Sequence, residues 1–297
     1  MSPSAQLHLV DASPYIFRAF FSLPTSIQSP AGKPVNAVRG FGDFLAKLLV
    51  EERPTHVLVA FDGSLTTSFR NDVYPAYKSS RELPDEDLVA QLEACQEVAE
   101  ALGLATTIDD RYEADDLVAT ARARFDDDFA RFTVVSADKD MTQLVDERTE
   151  FYDFGKSQRI GPNGVFEKMG VRPAQVRDLL GLAGDSVDDI PGVRGVGPKT
   201  ATALLAEFDD LDALYAGLER VAALSIRGAK TLGAKLEAAR DDAFLSRELA
   251  TVAVDAPLPQ ESPADLRRAP IDRTRLGRIG DELGLDGLLR AATRIEG

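Results

Sequence analysis

Three apolar runs in this chain each lead into a carboxylate, and that pattern constrains the chain toward a buried parallel sheet. LHLV ends at Asp11, VLVAF ends at Asp62, and FTVVSA leads into Asp138 and Asp140. Unbroken apolar runs of strand length suit strands covered on both faces by helices. The carboxyl edge of such a sheet is where ligand-binding groups are presented. Two more acidic groups follow: Glu113, Asp115 and Asp116 in EADD, and Asp185 and Asp188 in GDSVDD. A lone strand-end aspartate is more often a cap or turn residue. The set carries the argument, because clustered carboxylates repel one another unless a cation neutralises them. Mg²⁺ and Mn²⁺ are hard ions that prefer oxygen ligands. A pair of them about 3.5–4 Å apart is suited to cleaving a phosphodiester.

Composition narrows the setting. The chain has 297 residues, enough for one large domain or two ordinary ones. No apolar run approaches the ~20 residues that a membrane-spanning helix needs. No basic stretch precedes the short N-terminal apolar run, so no secretory signal is expected. Cys95 is the only cysteine, which rules out an intrachain disulfide and makes a cytoplasmic location the expectation. It falls in an apolar helical pattern and reads as packing. His8 and His56 are the only histidines, so too few Cys and His exist for a structural zinc site. Both histidines read as structural. The net charge of −15 taken alone argues against nucleic-acid binding. Positive charge is nonetheless segregated. Residues 192–205 contain Arg194 and Lys199 and no acid, and residues 227–235 contain Arg227, Lys230 and Lys235 and no acid. A local field can oppose the sign of the total.

The spacing predicts strands at residues 7–10, 57–61 and 132–135 and helices at 37–50 and 115–124. Leu88, Leu92, Cys95, Val98, Ala99 and Leu102 fall on one face of another helix. Pro84 followed by Asp85, Glu86 and Asp87 is a helix start, and Gly103 is a stop. The fold class is therefore α/β, with a mainly parallel central sheet flanked by helices. After about Gly170 the pattern becomes helical, at 173–182, 199–208 and 230–250, separated by glycine turns. From about Ala256 the signals are weak. The expected division is 1–170 for the α/β domain, 171–260 for a helical domain and 261–297 for a C-terminal tail.

Two further motifs stand out. GVRGVGPKTA, residues 192–201, reads as helix, tight turn, helix. Gly195 and Gly197 let backbone approach a phosphate, and the amides opening the next helix carry the positive end of its dipole. Lys199 adds a charge. This is the helix-hairpin-helix pattern of sequence-independent DNA binding, with an ordinary glycine-rich turn as the alternative. Residues 68–84 mix Arg70, Lys78 and Arg81 with Tyr74 and Tyr77, a combination that holds phosphates and stacks on an unpaired base. A plain surface loop reads equally well there.

These residues together resemble the bacterial 5′-nuclease family: the 5′→3′ exonuclease domain of DNA polymerase I and its stand-alone flap-endonuclease relatives. The likeness runs from about Leu7 to about Pro259. It is carried by VDAS with Arg18 in FRAF, AFDGS, FRNDVYPAYKSSR, YEADD, SADKDMTQL, GDSVDDIPGVRGVGPKTA and FLSRELATV. Polymerase-fused members continue into a polymerase domain, so the stand-alone form is the closer comparison. The resemblance implies a PIN-like 5′-nuclease fold followed by a helix-hairpin-helix domain. It implies that Asp11, Asp62, Glu113, Asp115, Asp116, Asp138, Asp140, Asp185 and Asp188 hold two Mg²⁺ ions, directly or through water, with Mn²⁺ as a substitute. It implies that Lys78 and Arg81 sit at the base of a helical arch and polarise the scissile phosphate. Tyr77 would stack on the base beside the cut, and Arg18 and Arg70 would help hold the substrate. Gly192, Gly195, Gly197, Lys199 and Thr200 would grip the downstream duplex, with K⁺ on backbone carbonyls near Val193 and Val196.

The chain departs from the family in one motif. Members commonly read G-D-x-S-D-N, whereas GDSVDD puts Val187 at the serine position and Asp189 at the asparagine position. The added charge at Asp189 bears on the second metal. The expected activity is that of a monomeric, structure-specific 5′ nuclease in primer removal or excision repair. It would be both 5′→3′ exonuclease and flap endonuclease, acting on DNA with 5′ flaps, nicks or recessed 5′ ends and on RNA-primer/DNA hybrids. Two alternatives stay open. A PIN-type single-strand ribonuclease would share the carboxylates but not need the glycine hairpin. A non-catalytic DNA-structure binder would keep the hairpin without the chemistry.

Overall fold

The computed structural model describes residues 5–81 and 86–296. Pro84 and Asp85, part of the expected helix start, lie outside the described residues. The N-terminal part alternates strands and helices. Strand β1 (Gln6–Asp11) is followed by α1 (Ser13–Ser22), with Pro14 in its first turn, and by α2 (Asn36–Glu52). Next come β2 (His56–Asp62), α3 (Phe69–Val73), α4 (Glu86–Ala101), β3 (Ala105–Asp109) and α5 (Ala114–Arg124). Strand β4 (Arg131–Val135), a 3₁₀ turn (Lys139–Leu144), β5 (Thr149–Asp153), β6 (Gln158–Ile160) and α6 (Pro162–Met169) complete this part.

The sheet order is β3-β2-β1-β4-β5-β6, parallel throughout except for β6, which runs antiparallel to β5. On β1, Leu7 and Leu9 pack with α5 residues such as Leu117 in one core. Val10 joins Leu45 and Leu49 of α2 in a second core on the other face. Both faces are covered, which is why the strand reads as a continuous apolar run. Strand order reverses at β1, which has β2 on one side and β4 on the other. A crevice at the carboxyl end of strands is expected at such a reversal.

The remaining chain is helical: α7 (Val176–Ala183), α8 (Pro198–Glu207), α9 (Leu211–Ala216), α10 (Leu218–Val221), α11 (Ala229–Ala238) and α12 (Arg240–Ala250). The expected helix over 230–250 is thus two helices, broken at Ala239, whose φ of −113° and ψ of 24° are not helical. The core that begins on the sheet runs on through Leu179, Leu204 and Leu236 of these helices, so the two parts share packing. The tail is ordered as α13 (Arg273–Leu283) and α14 (Gly287–Glu296). Leu276, Ile279 and Ala292 return to the second core beside α4 and α2. These helices carry few apolar residues among several arginines, which keeps their overall apolar signal in the sequence low.

His8 is a buried polar member of β1, 3% exposed, with Nε2 3.8 Å from Glu52. Burial lowers its imidazole pKa, with Glu52 and Glu150 opposing and Arg159 assisting. The folded protein therefore holds His8 neutral. As pH falls through the ordinary imidazole value of about 6.5, the unfolded chain takes up a proton that the folded chain refuses, and stability drops. Urea unfolding between pH 7.5 and 5.5 is expected to show a shallower loss of stability for His8→Gln than for the unaltered chain. Parallel slopes would exclude this role.

Candidate active site

The sheet delivers its carboxylates to one pocket of about 570 Å³. Asp11 and Asp62 end β1 and β2. Glu113 caps α5, and Asp115 lies in the first turn of that helix. Asp138 caps the 3₁₀ turn after β4, with Asp140 inside that turn. Asp185 and Asp188 lie in the loop after α7, which an isolated bridge between Asp185 and Ile190 closes into a tight arc. All these residues line the pocket, together with Lys78 and Arg81. Phe17 and Val187 supply apolar wall, and Lys139, Lys156 and Lys168 add rim cations.

Crowding is visible in the titration behaviour. Burial, then Asp62, pushes the Asp11 carboxyl up to about 8. Burial, then Asp138, pushes Asp140 up to about 7. Asp62, Asp115 and Asp138 are also raised, chiefly by burial. Glu113 goes the other way. Burial would raise it, but Lys78 and Arg70 hold it below the usual carboxylate range. Lys78 Nζ lies 2.5 Å from Glu113 Oε1, and Arg81 pairs with Asp188. Lys78 itself has φ 53°, a left-handed conformation uncommon outside glycine, with its backbone N–H donated to Asp188 O at 3.0 Å. Among non-glycine residues such backbone clusters at functional sites.

The donor set suits a hard divalent ion. Every acidic ligand candidate offers oxygen, and neither histidine lines the pocket. Asp140 Oδ1 is buried without a hydrogen-bond partner, a state that a cation would relieve. Oxygens of Glu113, Asp115 and Asp116 lie within 4.8 Å of one another.

Asp116 nevertheless does not line the pocket. It is fully buried behind it. Its Oδ1 accepts from Arg70 Nη2 at 2.8 Å and from the Ala253 amide at 2.7 Å. Its Oδ2 accepts from Arg70 Nη1 at 2.8 Å and from the Glu113 amide at 3.1 Å. Both its oxygens are doubly engaged by protein groups, although they lie within reach of the same cluster as Glu113 and Asp115. Arg70, expected to hold DNA, is 2% exposed and bonded to Asp116, so it presents no cation to a substrate. Removing one partner of such a buried pair costs roughly 3–5 kcal/mol. Tyr77, expected to stack on a base, is 4% exposed and packs with Ile190 and Leu249. Its hydroxyl donates to Glu113 Oε2 at 3.0 Å. Arg18 remains partly open, with 41% side-chain exposure and 3.8 Å from Asp153, beside a smaller cavity of about 330 Å³ next to the site.

The sequence reading passed over two serines that organise the ligands. Ser136 is fully buried; its hydroxyl donates to Asp11 Oδ2 at 2.8 Å and accepts from the Asp138 amide at 3.0 Å. It thereby bridges the crevice between β1 and β4. Ser13 donates its hydroxyl to Asp62 Oδ2 at 2.5 Å and its amide to Asp11 Oδ1 at 3.2 Å. Their signal was their place inside VDAS and SADKD. The unusual Asp189 lies off the pocket wall, where its Oδ2 accepts from the Ser80 amide at 2.7 Å. Its charge is thus aimed at the 80 amide, not at the other carboxylates.

At the glycine hairpin, Gly192 has φ 60° and packs against the end of α7. A Cβ there would sit 2.3 Å from Gly184 N. Gly195, at φ 83°, and Gly197, which caps α8, face open space. Arg194 and Lys199 are exposed beside them, Thr200 is half-buried, and the side chains of Val193 and Val196 are buried beneath. The turn therefore presents bare backbone and two cations outward.

The family profile described as 5′-3′ exonuclease, N-terminal resolvase-like domain, matches residues 6–170, and its C-terminal SAM-fold counterpart matches residues 171–274. The chain belongs to the 5′-3′ exonuclease family. Within the family, DNA polymerase I of Rhizobium leguminosarum is 41% identical over 87% of this chain and 25% of its own length. DNA polymerase I of Bacillus subtilis is 37% identical over 97% and 32%. This chain thus spans a quarter to a third of those relatives. Its fold is similar to that of T5 5′-exonuclease with zinc bound, at TM-score 0.68 and 18% identity, covering 98% of this chain and all of that one. It is also similar to the catalytic core of Rad2 in complex with DNA substrate, at 0.64 and 16%, covering 99% and 92%.

The raised carboxyls give a signed expectation. Free carboxylates titrate near 3.9, so from that value up to about 8 for Asp11 and about 7 for Asp140 the folded chain holds protons that the unfolded chain has lost. Stability without divalent ions therefore falls as pH rises through this window. Added Mg²⁺ or Mn²⁺ is expected to raise the melting temperature more at pH 8 than at pH 5.5, read by calorimetry. An equal rise at both would contradict the shared-site reading.

Proposed function

We propose that the chain is a structure-specific 5′ nuclease that hydrolyses DNA phosphodiesters at 5′ flaps, nicks and recessed 5′ ends, RNA-primer/DNA hybrids included. Its work would be primer removal or excision repair, in the cytoplasm and as a monomer. The observation that carries the reading is the convergence of Asp11, Asp62, Glu113, Asp115, Asp138, Asp140, Asp185 and Asp188 on one pocket beside Lys78 and Arg81. Two Mg²⁺ ions bound among these oxygens would supply an activated water and charge on the leaving 3′ oxygen. Asp11, Asp62 and Glu113 would serve one ion from the β1–β2 side, and Asp138, Asp140, Asp185 and Asp188 the other from the β4–α7 side.

Lys78 and Arg81 stabilise negative charge as it grows on the phosphate. Arg18, lining the neighbouring smaller cavity, would hold backbone. Ser13 and Ser136 hold the Asp11 and Asp62 carboxylates in place, and Ser136 also fixes the Asp138 backbone. Gly192, Gly195, Gly197, Lys199 and Thr200 hold the downstream duplex through backbone amides and charge. A K⁺ ion held by carbonyls near Val193 and Val196 would complete that grip. The chain divides in function near residue 170, with most of the carboxylates before it and, after it, the Asp185 and Asp188 loop and the duplex-holding hairpin, while residues 261–297 brace the first part.

A labelled 5′-flap duplex incubated with Mg²⁺, and again with a chelator, tests the reading. Metal-dependent cuts near the flap base are expected, with unstructured RNA left largely intact. Preferential RNA cleavage would favour a PIN-type ribonuclease, and no product a binding protein. Asp138→Ala is expected to abolish cleavage and leave flap binding in place. Lys78→Ala is expected to lower kcat by ~10²–10³ with little change in binding. Full activity in Asp138→Ala would remove the metal reading.

A further inference from the structure

Arg70 makes more of its surroundings than a buried salt bridge requires. Its Nε donates to Leu249 O at 2.7 Å and its Nη2 donates to Thr251 O at 3.1 Å, both at the exit of α12. Its Nη1 reaches Glu113 Oε2 at 3.1 Å as well as Asp116. With the second Asp116 bond, all five N–H groups of the guanidinium are engaged. One side chain thus joins a pocket carboxylate to the segment that leaves the helical part of the chain.

We infer that Arg70 is a positioning residue: with Asp116 it locks the α12 exit segment against Glu113 and so sets the geometry in which Glu113 faces the pocket. The inference rests on the nuclease reading above. Glu113 has three partners, Arg70, the Tyr77 hydroxyl and Lys78. Arg70 approaches from behind, and Lys78 from the pocket side. When a divalent ion competes with Lys78 for Glu113, the contacts with Arg70 and Tyr77 keep the carboxylate aimed. The exit segment is itself pinned, because Ala253 N–H donates to Asp116 and Val252 N–H donates to Gln143. α12 packs along α7, which leads directly into the Asp185 loop and the glycine hairpin. The helical part is therefore built into the support of the carboxylate site, and its role extends beyond holding duplex.

The test compares the full chain with Arg70→Gln, Arg70→Lys, Asp116→Asn and the double Arg70→Gln/Asp116→Asn variant. Three quantities are read: kcat on a 5′ flap, flap affinity across a salt series in a non-cleaving metal, and Mn²⁺ binding without DNA by calorimetry. For Arg70→Gln and Asp116→Asn, kcat and Mn²⁺ affinity are expected to fall ~10- to 100-fold. Flap affinity and its salt slope should stay unchanged, and Arg70→Lys should recover only part of the loss. The double variant should lose no more than the worse single one, as for residues acting in one unit. If Arg70→Gln instead weakens flap binding and lowers the salt slope by the ~0.7–0.9 of one phosphate contact, with Mn²⁺ binding intact, Arg70 is a DNA contact and the inference fails. Should Arg70→Gln not fold, Asp116→Asn carries the test: wild-type kcat and Mn²⁺ affinity in that variant would overturn it. An unaltered chain that cuts no flap would remove the nuclease reading alone, since Mn²⁺ binding still reports on Arg70.

Discussion

Repulsion among carboxylates held at the carboxyl edge of a buried sheet is the constraint that organises this protein. The parallel strands bring Asp11, Asp62 and Asp138 to one crevice because strand order reverses at β1. The fold meets the resulting cost in layers. The hydroxyl and amide of Ser13 and the hydroxyl of Ser136 fix the carboxylates nearest the sheet. Lys78 and Arg81 place charge in the pocket itself. Arg70 compensates Asp116 behind it. What these groups leave unbalanced is the raised pKa of Asp11 and Asp140 and an Asp140 Oδ1 without a hydrogen bond, both of which divalent cations would answer.

Charge is divided by place in a way that the net value conceals. Acid is concentrated in the pocket, where cations would bind, while the glycine hairpin presents Arg194 and Lys199 to solvent. A chain with formal charge −15 can in this way offer a local positive face to a polyanion. Among the basic residues of residues 68–81 the roles also separate. Lys78 and Arg81 face the pocket, whereas Arg70 is buried and works on other protein groups.

The parts of the fold buried on both faces were the most legible. LHLV, VLVAF and FTVV announce β1, β2 and β4, and the carboxylates that follow them announced the site. The flanking strands were silent: ATTID, TEFYD and QRI mix polar and apolar residues and carry little periodic signal. Residues 230–250 kept helical spacing across the break at Ala239, and only the backbone reveals two helices there. Within the site, EADD names three acids without distinguishing them. Asp115 and Asp116 differ only in which side of α5 they occupy, and that side decides whether a carboxylate meets the pocket or Arg70. Arg70 and Tyr77 look like substrate-binding residues by type, and only the structure shows that both are buried and bonded to protein groups. Across the sheet, Ser136 and Asp11 are 125 residues apart, a pairing that no local pattern encodes.

The account stands or falls on whether the pocket holds a pair of divalent ions. Anomalous diffraction from crystals grown with Mn²⁺ locates such ions directly. Two peaks about 3.5–4 Å apart are predicted, one toward Asp11 and Glu113 and the other toward Asp138 and Asp185, with Asp116 still bound to Arg70. Manganese confined to outer-surface carboxylates, with the pocket empty, would contradict it.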